Sequence, residues 1–242
     1  MLCEYPLYLS KRLTRLPIFR TSAIIFPMGK IKFVFFDMDG TLLDTLEDLH
    51  EALNHTLEEM GYPLKTLEET RNYVGNGIFC LVERGLPENA KYLAKEGSER
   101  FKKYYRAHLT VHTRPYEGIT ELIEALEARG IKIGIVSNKS QQPLEELAEY
   151  FFRGKASVTV GYTDGLPAKP APDMLYAAME AVGADKENSL YAGDSAVDVE
   201  TALNAGVKGI FCAWGFAGRE RLEKTGARPI IDAPEELLNY LG

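Results

Sequence analysis

An α/β fold is predicted for this chain: a doubly wound, Rossmann-like parallel sheet with an inserted helical cap. Two observations carry that expectation. From Ile119 onward, short apolar runs alternate with helical patterns, the rhythm of parallel strands joined by crossover helices. Ahead of them, the β-branched and aromatic run Ile31 to Phe36 reads as a strand buried on both faces. It runs directly into Asp37-Met38-Asp39-Gly40-Thr41, which places two carboxylates one residue apart where ligands collect in open α/β sheets.

Gly40 lets the backbone turn sharply after this strand. Leu46, Leu49, Leu53, Leu57 and Met60 then recur at helical spacing, with Glu47, Asp48, Glu51, Glu58 and Glu59 between them, and the helix ends at Gly61. Helical pattern continues through Leu81 to Arg84 and Tyr92 to His108, until Arg114-Pro115-Tyr116-Glu117-Gly118 marks a return. Residues 45–114 therefore read as a helical cap inserted into a core made of 28–44 and 115–242. Beyond the return come a helix at Ile119–Arg129, a strand at Ile131–Val136, a helix near Pro143–Tyr150 and a β-like Ser157–Val160. A helix at Ala171–Val182, a strand at Ser189–Ala192, a helix at Val197–Ala205 and a strand at Val207–Ala213 complete the alternation. Pro229-Ile230-Ile231 supplies a last strand, and Pro234 with Glu235 begins a last helix.

With 242 residues and 45% hydrophobic content, the chain can bury one sizeable core and a second small one. A formal charge of −7 argues against a nucleic-acid surface and leaves a small-molecule partner, with the protein a monomer or small homo-oligomer. Cys3, Cys80 and Cys212 are few, odd in number and widely spaced, which argues against a disulfide framework or zinc site and fits a reducing, cytoplasmic compartment. Residues 1–27 differ in carrying Lys11, Arg12, Arg15 and Arg20 against Glu4 alone. This arm is too short in apolar run to span a bilayer, and reads as an upstream start ahead of Met28 or as an acid-poor transit peptide. His50, His55, His108 and His112 show no metal-like pairing and read as helix-surface or capping residues, while Trp214 is expected at the rim of the site.

Three further motifs follow the first in order: Ser137-Asn138 after an apolar run, Lys169-Pro170-Ala171-Pro172-Asp173, and Gly193-Asp194-Ser195-Ala196-Val197-Asp198. With Asp37-Met38-Asp39-Gly40-Thr41-Leu42-Leu43-Asp44-Thr45, they resemble the haloacid dehalogenase-like hydrolases over about Lys30 to Leu241. The position of the helical insertion is similar to that of phosphoglycolate-phosphatase-like members, as are Val74-Gly75-Asn76-Gly77 and Leu81-Val82-Glu83-Arg84-Gly85-Leu86.

The resemblance implies phosphoryl transfer, which needs positive charge, in-line positioning and a proton for the leaving alkoxide. Asp37 would be the nucleophile, forming an aspartyl phosphate, and Asp39 the acid and then the base. Gly40, Thr41, Ser137 and the Asn138 amide would hold phosphoryl oxygens, with the Lys169 ammonium over the phosphoryl group and Asp37. Asp37, the Asp39 backbone carbonyl and Asp194 would ligate Mg²⁺, with Asp198 in an outer position. Simpler readings stand beside these: Asp194 and Ser195 could cap a helix, and Ser137 could form a local turn. Gly75 and Asn76, with Arg71 or Arg84, could receive a small carboxylate, or the glycines could only separate two helices. A phosphatase for a small phosphorylated metabolite follows, phosphoglycolate first. A pyrophosphatase, a sugar-phosphate phosphatase, a phosphomutase or a non-catalytic regulatory relative are the alternatives.

Overall fold

The computed structural model describes residues 30–242; the arm expected at 1–27, with Cys3 and Met28, lies outside them. Strand β1 (Phe33–Phe36) is buried along its whole length. A tight turn leads to β2 (Leu43–Asp44), after which come helices α1 (Leu46–Glu59), α2 (Leu67–Tyr73), α3 (Gly77–Gly85) and α4 (Ala94–Ala107). The chain returns through β3 (Arg114–Pro115), antiparallel to β2 with Arg114 opposite Asp44. The four helices α1 to α4 thus lie along the chain between the paired β2 and β3.

From there the alternation is regular: α5 (Ile119–Ala128), β4 (Lys132–Ser140), α6 (Gln141–Phe152), β5 (Ala156–Tyr162), α7 (Asp173–Val182), β6 (Ser189–Gly193), α8 (Ala196–Ala205), β7 (Lys208–Cys212), α9 (Gly218–Lys224) and β8 (Ile230–Ile231). The sheet order is β5-β4-β1-β6-β7-β8, with every pairing parallel. Because side chains alternate across a strand, Val34 and Phe36 join the cluster containing Leu53, Leu122 and Leu144, while Phe33 and Phe35 join the one containing Met174, Leu175 and Val199. Each face of β1 is therefore covered, which is why its sequence is apolar without alternation. The chain fills one side of β1 with β4 and β5, then crosses to the other with β6, so the strand ends around β1 form the crevice.

Three boundaries differ from the sequence expectation. Strand β4 continues to Ser140 instead of stopping at Val136, with a register irregularity between those residues, so Ser137 and Asn138 lie in its last stretch and not at a helix N-terminus. Helix α7 begins at Asp173 because Pro172 disfavours helical backbone at Ala171. The final segment, Pro234–Tyr240, is 3₁₀ and not α-helical. Cys212 is a buried free thiol, whereas Cys80 is disulfide-bonded, an outcome the sparse cysteine set does not signal.

Asp48 also departs from expectation. Its place among the polar residues of α1 predicts exposure, yet it is 1% exposed. Its Oδ1 accepts from His112 N at 2.9 Å, and its Oδ2 from Thr113 N at 2.9 Å and Thr113 Oγ1 at 2.6 Å. His112 in turn reaches Glu51 at 3.1 Å and Glu47 at 3.4 Å, so this histidine does group with carboxylates, contrary to the sequence reading. The group staples the start of α1 to the segment entering β3. Asp48→Ala strands these donors, and a loss of about 2–4 kcal/mol in unfolding free energy is expected by denaturant titration, with Asp48→Asn losing less.

Candidate active site

The site is built outward from Asp37. Ladder pairing carries β1 up to its amide, which donates to Ala192 O at 2.9 Å. The side chain then turns back: Oδ1 accepts from Met38 N at 2.7 Å and lies 3.0 Å from Lys169 Nζ. Its Oδ2 takes no hydrogen bond among the described residues, and Asp37 lines both cavities that open on the site.

The following turn depends on Gly40, at φ +84, where a Cβ would stand 2.5 Å from an Asp194 carboxylate oxygen. A side chain on Gly215 would likewise collide with Gly40 O and the Asp194 side chain. Asp194, just beyond β6, is thus gripped by backbone on two sides. Its Oδ1 accepts from Thr41 Oγ1 at 3.2 Å and its Oδ2 from Phe216 N at 2.7 Å. Trp214 donates to Thr41 O at 3.0 Å and packs, partly buried, against the core.

Lys169 is buried and gives its ammonium to Asp37 Oδ1 at 3.0 Å, Asp198 Oδ1 at 2.8 Å and the Tyr191 hydroxyl at 2.9 Å. Asp198 also accepts from Tyr191 OH through Oδ1 and from Ser195 N and Oγ through Oδ2. Ser195 caps α8 in a capping box with Asp198, so the helix-cap reading holds for Ser195 and not for Asp194.

Ser137 faces the cavity beside Asp37 and Asp39, and its Oγ also accepts a long 3.4 Å bond from Lys139 N, so cavity placement and local turn coexist. Asn138 lines the same cavity, and its side chain is spent on structure. Its Oδ1 accepts from Lys169 N at 2.8 Å, and its Nδ2 donates to Lys169 O and to Gly75 O, each at 3.0 Å.

Asp39 does not meet the other carboxylates. It accepts from Thr45 Oγ1 at 2.8 Å and from Lys139 Nζ at 3.0 and 3.2 Å. In the helical block, Gly75 lines both cavities and Arg71 one, beside Asn72 and Arg221. Arg84 donates to Tyr73 O at 2.7 Å and to Asn76 Oδ1 at 2.8 Å, which braces the α2–α3 turn, and neither Arg84 nor Asn76 lines either of these two cavities. The two glycines of this turn adopt φ +114 at Gly75 and +81 at Gly77, so they do separate two helices while one of them meets the core.

The charges explain the protonation behaviour. Burial, with Asp198 and Asp39 adding to it and Lys169 opposing it, pushes the Asp37 carboxyl up to about 6. Burial and the charges of Asp198 and Asp37 raise Asp194 well above the ordinary range. For Asp198 burial acts in the same upward direction, but the Lys169 ammonium and the bonds from Lys169, Ser195 and Tyr191 outweigh it and hold the carboxyl low. Asp37, Asp194 and Asp198 bring oxygens within 4.8 Å of one another, a cluster able to hold a metal ion. The donor set fits a hard divalent cation, since all donors are oxygens and one ammonium faces three buried carboxylates. Asp198 is held by four donors, the Lys169 ammonium among them, whereas Asp194 is held by two uncharged ones and Asp37 by one amide and the ammonium, so Asp37 and Asp194 keep more acceptor capacity for a cation.

Residues 34–212 match the haloacid dehalogenase-like hydrolase family. The chain belongs to that family. A phosphoglycolate phosphatase of Neisseria gonorrhoeae is 36% identical over 226 residues, spanning 87% of this chain and 93% of the relative. One from Pseudomonas syringae pv. syringae is 34% identical over 213 residues, 84% of this chain and 78% of the relative. A crystal structure of a candidate phosphoglycolate phosphatase from Lactobacillus delbrueckii subsp. bulgaricus superposes with a TM-score of 0.81 at 33% identity, over 88% of this chain and 99% of that one. Within the haloacid dehalogenase-like hydrolases, this chain is a phosphoglycolate-phosphatase-like member.

Sequence reasoning missed Lys139, Tyr105 and Tyr191. Lys139 had a signal, since it directly follows Ser137-Asn138; the tyrosines had none, being single hydroxyls within buried elements. The raised Asp194 has a thermodynamic consequence. The folded state holds its proton more tightly than the unfolded chain does, so stability in chelator falls as pH rises from the ordinary 3.8 upward. At pH 8 in chelator, Asp194→Asn is expected to melt a few degrees above the parent protein, and excess divalent cation should reverse that order in the same calorimetric scan.

Proposed function

We propose that this chain is a Mg²⁺-dependent phosphatase that hydrolyses a small phosphate monoester, phosphoglycolate first among candidates, through an aspartyl phosphate on Asp37. The observation that carries the reading is the state of Asp37: one oxygen fixed by an amide and an ammonium, the other without a partner among the described residues, on a side chain that lines two cavities. Such a fixed carboxylate is oriented for in-line attack, and the loss of freedom is already met by the fold.

In the first step an Asp37 oxygen bonds to phosphorus as the ester P–O bond breaks, and Asp39 gives its proton to the leaving alkoxide. In the second, Asp39 takes a proton from water, whose oxygen bonds to phosphorus and frees the Asp37 carboxylate. Ser137 would bind a phosphoryl oxygen and Lys169 would offset charge on Asp37 throughout, while Gly40 and Thr41, expected to join them, give their amides to Leu43 O and Met38 O and shape the turn instead. Mg²⁺, held by Asp37, Asp194 and the Asp39 carbonyl with Asp198 behind them, would neutralise charge on the phosphoryl group.

We read residues 45–114 as a cap over the core formed by 28–44 and 115–242. Gly75 and Arg71 of the cap are the groups placed to meet the non-reacting end of the substrate, whereas Arg84 and Asn76 support them from behind. The cavities hold about 40 and 100 Å³, a scale suited to a substrate of few heavy atoms. A small metabolite fits a cytoplasmic setting, and no helix among the described residues is long and apolar enough to cross a membrane. The relatives named for phosphoglycolate support that choice of substrate.

Phosphate release from a panel of monoesters and pyrophosphate, compared as kcat/KM, is the test. Phosphoglycolate is expected to lead the panel; a flat profile leaves a generic phosphatase, and no release at all ends the enzymatic reading. Chelator should silence turnover reversibly. Asp37→Asn should abolish it, by at least about 10³-fold, while leaving the far-UV spectrum and melting temperature close to the parent's.

A further inference from the structure

Lys139 lies in the irregular end of β4 with its side chain 3% exposed. An ammonium has three N–H bonds, and here three acceptors meet it: Asp39 Oδ1 at 3.0 Å, Asp39 Oδ2 at 3.2 Å and the Tyr105 hydroxyl at 2.8 Å. All three N–H bonds are thus given to protein acceptors, two of them on Asp39, at the edge of the cavity that Lys139 lines with Asp37 and Ser137.

Both anchors of this contact are informative. Tyr105 stands on α4 in the helical block, fully buried, and its ring also lies 4.8 Å from the same ammonium. Asp39 stands on the core, two residues beyond the nucleophile, and its only other side-chain partner among the described residues is Thr45 at 2.8 Å. The carboxyl is thus gripped from one side by the junction of the block and from the other by a lysine braced on the block's far helix. While Lys139 spans both oxygens, neither is free to present a proton. A small shift of the ammonium toward one oxygen, pivoting on Tyr105, releases the other.

Resting on the phosphatase reading above, we propose that Lys139, braced by Tyr105 of α4, is the positioning residue for Asp39, and that it ties proton delivery to the seating of the helical block. The alternative is an ordinary buried ion pair whose purpose is stability alone. The two differ in leaving-group dependence. An alkyl ester needs its departing oxygen protonated as the P–O bond breaks, whereas a p-nitrophenolate departs without that proton. A positioning defect in Asp39 therefore falls on the first ester and largely spares the second, while a general loss of structure falls on both.

The experiment compares kcat/KM of the full chain with Mg²⁺ on p-nitrophenyl phosphate and on the best alkyl monoester of the panel, for the parent, Lys139→Met, Lys139→Arg and Tyr105→Phe. With Lys139→Met, the alkyl ester is expected to lose about 10²-fold, in the range of general acid catalysis, and the aryl ester no more than about threefold. Lys139→Arg should recover part of the loss, and Tyr105→Phe should show the same selectivity at smaller size. If Lys139→Met fails to fold, Tyr105→Phe carries the test, since it removes one oxygen and keeps the ring. Equal losses on the two esters, or none, overturn the proposal while leaving the phosphatase reading in place; an inactive parent protein overturns the phosphatase reading itself.

Discussion

One buried ammonium faces carboxylates contributed by separate elements, and the site is organised around that imbalance. Lys169 touches Asp37 at the end of β1 and Asp198 in α8, while Asp194 stands behind them with no cation of its own. Unlike water, a dry interior screens charge poorly, so like charges at such range are costly unless each is held by donors. Asp198 is held by four and is kept ionised; Asp194 is held by two and is pushed toward its neutral form. The difference separates a structural carboxylate from one available to a cation. A divalent cation held there would offset the negative charge of the cluster.

The placement of Lys169 is itself secured from an unexpected direction. Asn138 accepts from the Lys169 amide and donates to its carbonyl, a two-point clamp on the backbone that aims the lysine. The remaining donor of the same amide group goes to Gly75 O in the helical block. One side chain thus joins the phosphate end of the site to the turn that lines its entrance. Gly75, at φ +114, is the residue type that lets the turn present its carbonyl there.

What the sequence made legible was what lies close together along the chain. The Asp37–Thr41 segment, the capping residues of α8 and the βα alternation depend on neighbours within a few positions, so spacing alone exposes them. The rest depends on distant partners. Lys139 meets Asp39 across 100 positions, and Asp48 meets Thr113 across 65, so a lysine at a strand end and an aspartate on a helix look solvated until the fold is known. Arg84 shows the reverse error: a cation in a candidate binding segment looked free, yet its partners at Tyr73 and Asn76 belong to the turn itself. Motif order identified the family, and three-dimensional contact shows which residues near the motifs already have partners within the fold.

Away from the Asp44–Arg114 junction, polar contacts of unequal strength join the helical block to the core among the described residues. Glu68 reaches Arg221 at 3.4 Å with both groups largely in solvent, and such pairs contribute from nothing to about 1 kcal/mol. The Asn138–Gly75 bond is a neutral one, with a net worth of about 1 kcal/mol. Water can replace the partners in either case if the block tilts about the Asp44–Arg114 step. The Lys139–Tyr105 contact is different, because its ammonium is buried and has no spare solvent to turn to. Opening that contact without wetting the lysine leaves a charged donor unpaired, whereas opening it with water changes the surroundings of Asp39 at once. Together with the Thr45–Asp39 bond at the junction, this contact makes the position of the helical block consequential for the Asp39 carboxylate.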